Sequence, residues 1–122
     1  MITTGNFHED VEMKPDRRGW VIGSFIEENS IFHSNDFEVK WAEHKKGYFK
    51  EGLKTDISTK TVTFLVSGKF QIDFTNKSNK HQETTVLAKL GDYVCYDASE
   101  YDHSARALED CLVIVFRWPS IR

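Results

Sequence analysis

Apolar positions in this chain recur at every second residue over most of its length, and a helical period is hard to find. A period of two is the mark of β-strands, whose successive side chains point to opposite faces. Residues 20–26 (WVIGSFI) make a short apolar run, and residues 37–44 (FEVKWAEH) set Phe37, Val39 and Trp41 against Glu38 and Lys40. In 60–66, Val62, Phe64 and Val66 alternate with Thr61, Thr63 and Leu65; in 69–75, Phe70, Ile72 and Phe74 alternate with Gln71 and Asp73. Ser67-Gly68 between these two segments reads as the turn of a hairpin. A polar loop over 76–83 leads to strands at 84–90, 93–97 and 103–107, with turns at Gly91-Asp92 and Glu109-Asp110. The last strand, 111–118 (CLVIVFRW), is apolar on both faces and so belongs at the centre of a sheet.

Many short strands at roughly ten-residue spacing, with no helix beyond one or two turns, predict an all-β antiparallel sandwich or barrel. One predicted face carries large apolar side chains, the other Thr, Gln, Asp, Lys and His. That second face reads either as solvent-exposed surface or as the lining of a ligand cavity. Trp41 shares the parity of Phe37 and Val39, which assigns it to the core. Residues 1–19 are polar and turn-rich and form an N-terminal arm; residues 20–122 form one barrel domain without linker or repeat.

The 122 residues hold 16 Lys+Arg against 19 Asp+Glu, a net charge of −3. That balance excludes a whole-domain electrostatic footprint for nucleic acid or an anionic membrane. No apolar run reaches the roughly 18–20 residues that cross a bilayer. The start, MITTGNFHEDVEMK, has neither a basic flank nor an apolar stretch, which predicts a cytoplasmic protein with Cys95 and Cys111 as reduced strand residues. No GxSxG, GxGxxG or GxxxxGK[ST] occurs, so nucleophile elbows and phosphate-cradling loops find no support.

The order VTFLVSGKFQIDF, polar loop, LAKLGDYVCYDASEYDHSARALEDCLVIVF resembles the cupin superfamily over roughly residues 38–118. Gly68, Gly91-Asp92 and His103 carry the resemblance. It implies a cupin-like jelly-roll barrel (a double-stranded β-helix). Cupins hold a metal through an HxH…Glu motif and a later His. Counting seven back from Gly68, the glutamate position is Thr61, and the HxH positions fall in Thr55-Asp56-Ile57-Ser58, where no histidine stands. In the second motif Asp97 and Ser99 replace Pro and Gly, and His103 lies one residue beyond the usual spacing, where Asp102 competes for its role. The resemblance therefore implies a degenerate or rearranged site, with no metal or with a non-standard divalent transition metal.

Two imidazoles and a carboxylate suit such an ion, and His44, His103 and Asp56 are the candidate ligands. Lys40, Trp41, Thr61, Thr63, Gln71, Asp73, Tyr96 and Arg106 are the candidate set for a small polar ligand. Lys40 and Arg106 would pair with a carboxylate or phosphate on it. His103 is the candidate acid–base residue of an alternative reading, a small isomerase, cyclase or lyase. A non-catalytic interaction module is the third reading. The arm, as a strand added to a partner's sheet, and the aromatic tail VFRWPSIR lead to an expected homodimer.

Overall fold

The structure, a computed structural model, describes residues 1–52, 54 and 57–120. Among them the alternating segments become nine strands: β1 (Trp20–Ile22), β2 (Glu38–His44), β3 (Phe49–Glu51), β4 (Lys60–Ser67), β5 (Phe70–Asn76), β6 (Gln82–Leu87), β7 (Tyr93–Asp97), β8 (Tyr101–Ala107) and β9 (Cys111–Trp118). They pair antiparallel in two sheets, ordered β1-β2-β9-β4-β7 and β3-β8-β5-β6. The two sheets face each other as a jelly-roll barrel. As its two apolar faces predict, β9 is the central strand of the larger sheet. No helix of the described residues is long and apolar enough to cross a membrane.

Four elements differ from the sequence reading. Ser67-Gly68 does not close a hairpin: β4 and β5 lie in different sheets, and the turn carries the chain around a corner of the barrel. Gly68 has φ 83°, and a Cβ there would overlap the Asp110 carbonyl and Cys111. The corner is pressed against the start of β9, and only glycine fits both that space and that conformation. Next, β1 is only three residues long and stops at Ile22, and β3 appears in a segment too short to show any alternation. Finally, the N-terminal arm is not a spare strand. It contains a helix, α1 (Phe7–Met13), capped by Asn6, whose side chain accepts from the Glu9 N–H at 3.1 Å. That helix rests Phe7 on Phe32 and Trp41, with ring centroids 6.1 Å apart in both pairs.

Strand parity assigns the two faces of each sheet. On the four-stranded sheet Phe70, Ile72 and Phe74 point inward and Gln71 and Asp73 outward. The five-stranded sheet does the reverse of what hydrophobicity alone suggests. Its inward positions include Glu38, Lys40, Thr61 and Thr63, while Trp41, Val62, Phe64, Ile114 and Phe116 face out. Part of that outer face is covered from within the chain, by Phe7 on Trp41 and by Phe37 stacked on Phe116 at 4.9 Å. The rest ends in Val66, 37% exposed, and Tyr93, 69% exposed.

The corner at Gly68 generates a test. Gly68→Ala is expected to lower unfolding free energy by about 1–3 kcal/mol, read by urea denaturation. A change indistinguishable from zero would mean that the corner has room for a side chain.

Candidate functional site

The space between the sheets is closed at one end by large side chains. Leu65, Phe70, Leu87, Cys111 and Val113 belong to one buried apolar cluster. Farther along, inward positions hold Ala42, Thr63, Ala105 and Gly52, and a cavity of about 140 Å3 remains. Interiors otherwise pack with few voids, so a run of small inward residues is what opens this one.

A polar row forms the deep wall. Register places Glu38, Arg117, Thr61 and Tyr96 side by side across β2, β9, β4 and β7. Glu38 is 0% exposed, and Arg117 Nη1 donates to its Oε1 at 3.1 Å. A buried carboxylate requires such a partner, because desolvating an unpaired charge costs far more than folding can supply. The Arg117 guanidinium lies 4.8 Å from the Trp20 ring centroid, and the Lys40 ammonium 5.9 Å from the same ring. Glu38 and Trp20 therefore hold Arg117, and Lys40 stands near the same indole.

The facing sheet contributes His103 from β8. The Tyr96 hydroxyl lies 3.3 Å from its Nε2 and 3.4 Å from its Nδ1, long for a hydroxyl hydrogen bond and astride both nitrogens. Gly52 donates its backbone N–H to the His103 carbonyl at 2.8 Å, and a Cβ on Gly52 would overlap the imidazole. Burial lowers the His103 pKa, reinforced by the Arg117 charge and opposed by Asp102. Burial pushes the Tyr96 phenol up to about 12 against the pull of Arg117. The pair is thus an undissociated phenol against an imidazole whose neutral form is favoured. At the other side of the cavity His44 stacks on Tyr48, centroids 3.8 Å apart, and on Phe70 at 5.7 Å. Burial, then Lys40 and Lys50, bring its pKa down to about 4.

Of the residues singled out in the sequence, Lys40, Thr63, Tyr96, His44 and His103 line this one cavity, and Thr61, 1% exposed, is buried in its wall. His103, and not Asp102, is the member of that pair on the cavity. Trp41, Gln71, Asp73 and Arg106 are elsewhere. Neighbours on a strand face opposite ways, so Lys40 and Trp41 cannot both point inward, nor Gln71 and Asp73 together with Ile72, nor Arg106 together with Ala105. Trp41, assigned to the core, instead stands on the outer face and donates its indole N–H to Glu43 at 2.7 Å. Asp73 accepts from Gln71 at 3.0 Å and Thr84 at 2.8 Å on the outside of the smaller sheet, with Arg106 3.7 Å away. Asp56 lies outside the described residues.

Among the described residues no three His, Cys, Asp or Glu side chains converge as a metal centre would require. His44 and His103 come from facing sheets, each against tyrosine, and the inward position that the cupin motif gives to glutamate holds Thr61. This donor set does not fit the metal site that the motif implies.

Sequence reading missed Glu38, Arg117, Trp20, Tyr48 and Lys50. For two of them the signal was present. Arg117 shares its parity with Cys111, Val113 and Val115 in an otherwise apolar strand, and Glu38 shares that of Lys40, Ala42 and His44. A charge on the buried face of a central strand must have a buried partner.

The sequence matches no protein-family model and no curated protein. Solved structures are similar. An RmlC-like cupin protein from Desulfovibrio desulfuricans aligns with a TM-score of 0.54 at 20% identity, over 72% of this chain and 76% of that one. KdgF from Halomonas sp. aligns at 0.56 and 22% identity, over 73% and 75%. A dTDP-4-dehydrorhamnose 3,5-epimerase from Sulfolobus tokodaii aligns at 0.58 and 18% identity, over 72% and 54%. At such identities the likeness is one of fold.

Both the pair and the histidines give expected outcomes. Glu38→Ala strands the Arg117 charge and is expected to cost about 3–5 kcal/mol, whereas Glu38→Gln with Arg117→Met recovers much of it; equal losses would show the pair to be incidental. The lowered pKa of His44 means that the unfolded chain binds its proton first as pH falls. Its contribution is complete above about 6.5 and is lost on descent toward about 4. His8, raised by Glu43, acts in the opposite sense, so the measurement is the difference between wild type and His44→Gln. The variant is expected to lose less stability between pH 7 and 5. An NMR titration placing His44 near 6.5 would contradict this.

Proposed function

The chain has the cupin fold, and from that premise we propose that it binds a small organic molecule in the cavity between its two sheets. The observation carrying this reading is the cavity itself: about 140 Å3, opened by small residues on both sheets and walled by Trp20, His44, Tyr48, Tyr96 and His103. Rings give such a site apolar contact area, and the few inward polar groups orient the ligand. Lys40, Thr63, Tyr96 and His103 are among the lining residues proposed to contact it.

The Tyr96–His103 contact favours a second reading, an acid–base enzyme of the isomerase, cyclase or lyase kind. A protonated phenol can donate to a developing oxyanion while a neutral imidazole accepts a proton from carbon, which is the pairing such reactions need. The apolar outer face of the five-stranded sheet supports a homodimer through Phe64, Ile114 and their neighbours.

Binding is tested with a fragment panel followed by amide NMR. Signals around Thr63, Tyr96 and His103 are expected to shift, and Ala105→Leu, which fills the cavity, is expected to weaken binding at least tenfold while folding is retained. A panel whose hits ignore Ala105→Leu sinks the reading. For the enzyme reading, a ligand carrying an acidic C–H should exchange with deuterium oxide only while His103 is intact. Light scattering should return twice the chain mass, and the chain mass for Phe64→Lys; a wild-type monomer leaves that face to another partner.

A further inference from the structure

Resting on the reading of the cavity as a binding site, we infer that its ligand is a small anion carrying a carboxylate, held between Arg117 and Lys40 on one sheet and Lys50 on the other. Of the described residues lining the cavity, Lys40, Lys50 and Arg117 are cationic and Glu51, on the exposed strand β3, is acidic; Glu38, in the wall behind, is ion-paired with Arg117. The cations come from strands in facing sheets, so their charges converge on the space between them and not on a common surface.

Arg117 is held in position before any ligand arrives. Glu38 takes Nη1, the Trp20 ring takes one face of the guanidinium, and a guanidinium has five N–H donors in all. A fork fixed in this way offers a carboxylate its remaining donors with little ordering cost. Lys40 lies over the same indole, and Lys50 faces the cavity from β3, the edge strand of the smaller sheet.

The histidines respond to the same field. Burial is the main cause of the lowered pKa of both histidines; Arg117 adds to it at His103, and Lys40 and Lys50 add to it at His44. With both imidazoles favoured neutral, the positive charges an anion would meet in the cavity are those of Lys40, Lys50 and Arg117, and the ring walls strengthen each such attraction. The rings also set the body of the ligand. Trp20, His44, Tyr48, Phe70 and Tyr96 surround a volume close to that of cavities which take up benzene. A flat or compact apolar body with one carboxylate matches both features.

The test uses benzoate and its neutral isostere benzamide, titrated into the full chain and read by amide NMR and calorimetry. Benzoate is expected to bind at least tenfold more tightly than benzamide, to weaken with added salt, and to lose at least tenfold in Lys40→Met and severalfold in Lys50→Gln. Lys50 is exposed, so its variant tests the charge without endangering the fold. Ala105→Leu is expected to abolish benzoate binding. Equal affinities for the two probes, both lost in Ala105→Leu, would overturn the anion inference and leave the cavity reading standing. Benzoate binding that survives Ala105→Leu would assign it to surface lysines and overturn the inference as well. If neither probe nor any fragment of the panel binds, the cavity reading falls and the inference falls with it.

Discussion

The contact between Arg117 and Glu38 determines how the rest of the barrel is arranged. Neither charge is tolerable alone between two sheets, so β2 and β9 must pair in the register that sets them opposite each other. That register brings Trp20 across from Lys40 and lines up Thr61 and Tyr96 on the neighbouring strands. A slip by one residue would turn the pair outward and bring Trp41 and Phe116 in. Hydrophobicity alone would favour that slip. The ion pair is therefore an observation about specificity as much as stability: it selects one of two otherwise competitive faces.

With that face chosen, the molecule acquires two unlike sheets. The smaller one keeps its apolar side chains inside and a hydrogen-bonded network of Gln71, Asp73 and Thr84 outside. The larger one keeps charge and hydroxyls inside and aromatic bulk outside, part of it under α1 and the segment before β2. The proposed functions divide along the same line: the ligand site proposed for the interior rests on its polar groups and ring walls, and the proposed interface on the aromatic exterior of the larger sheet.

Much of this was legible in the one-dimensional pattern. Alternation located β2, β4, β5, β7 and β9 nearly to the residue, and the doubly apolar run of β9 announced its central place. The turn glycines and His103 pointed to the jelly roll. What alternation cannot supply is the sign of the face: Phe37, Val39 and Trp41 outscore Glu38, Lys40 and Ala42 on any hydrophobic count, yet the latter set is inside. The same ambiguity groups Trp41, Gln71, Asp73 and Arg106 with residues of the opposite face, and these four do not line the cavity between the sheets. The Ser67-Gly68 turn misled for another reason. A two-residue hairpin and a corner between sheets share the same residue types, and only the packing of β9 against Gly68 distinguishes them.

That corner also limits how the cavity can change shape. Because Gly68 is wedged against Asp110 and Cys111, the two sheets are tied at a fixed distance at one end of the barrel, like the boards of a book at its spine. The turn leading into β3 is held at the same corner, the Lys46 N–H donating to the Asp110 carboxylate at 2.8 Å and the Gly47 N–H to the Ala107 carbonyl at 3.0 Å, and β3 itself, three residues long, is hydrogen-bonded to β8. Lys50 and Gly52, on and just after that strand, line the cavity, so the position of its wall and of its lysine would follow the corner. In the binding reading, the space offered to a ligand and the charge that meets it would thus be set together from a single glycine.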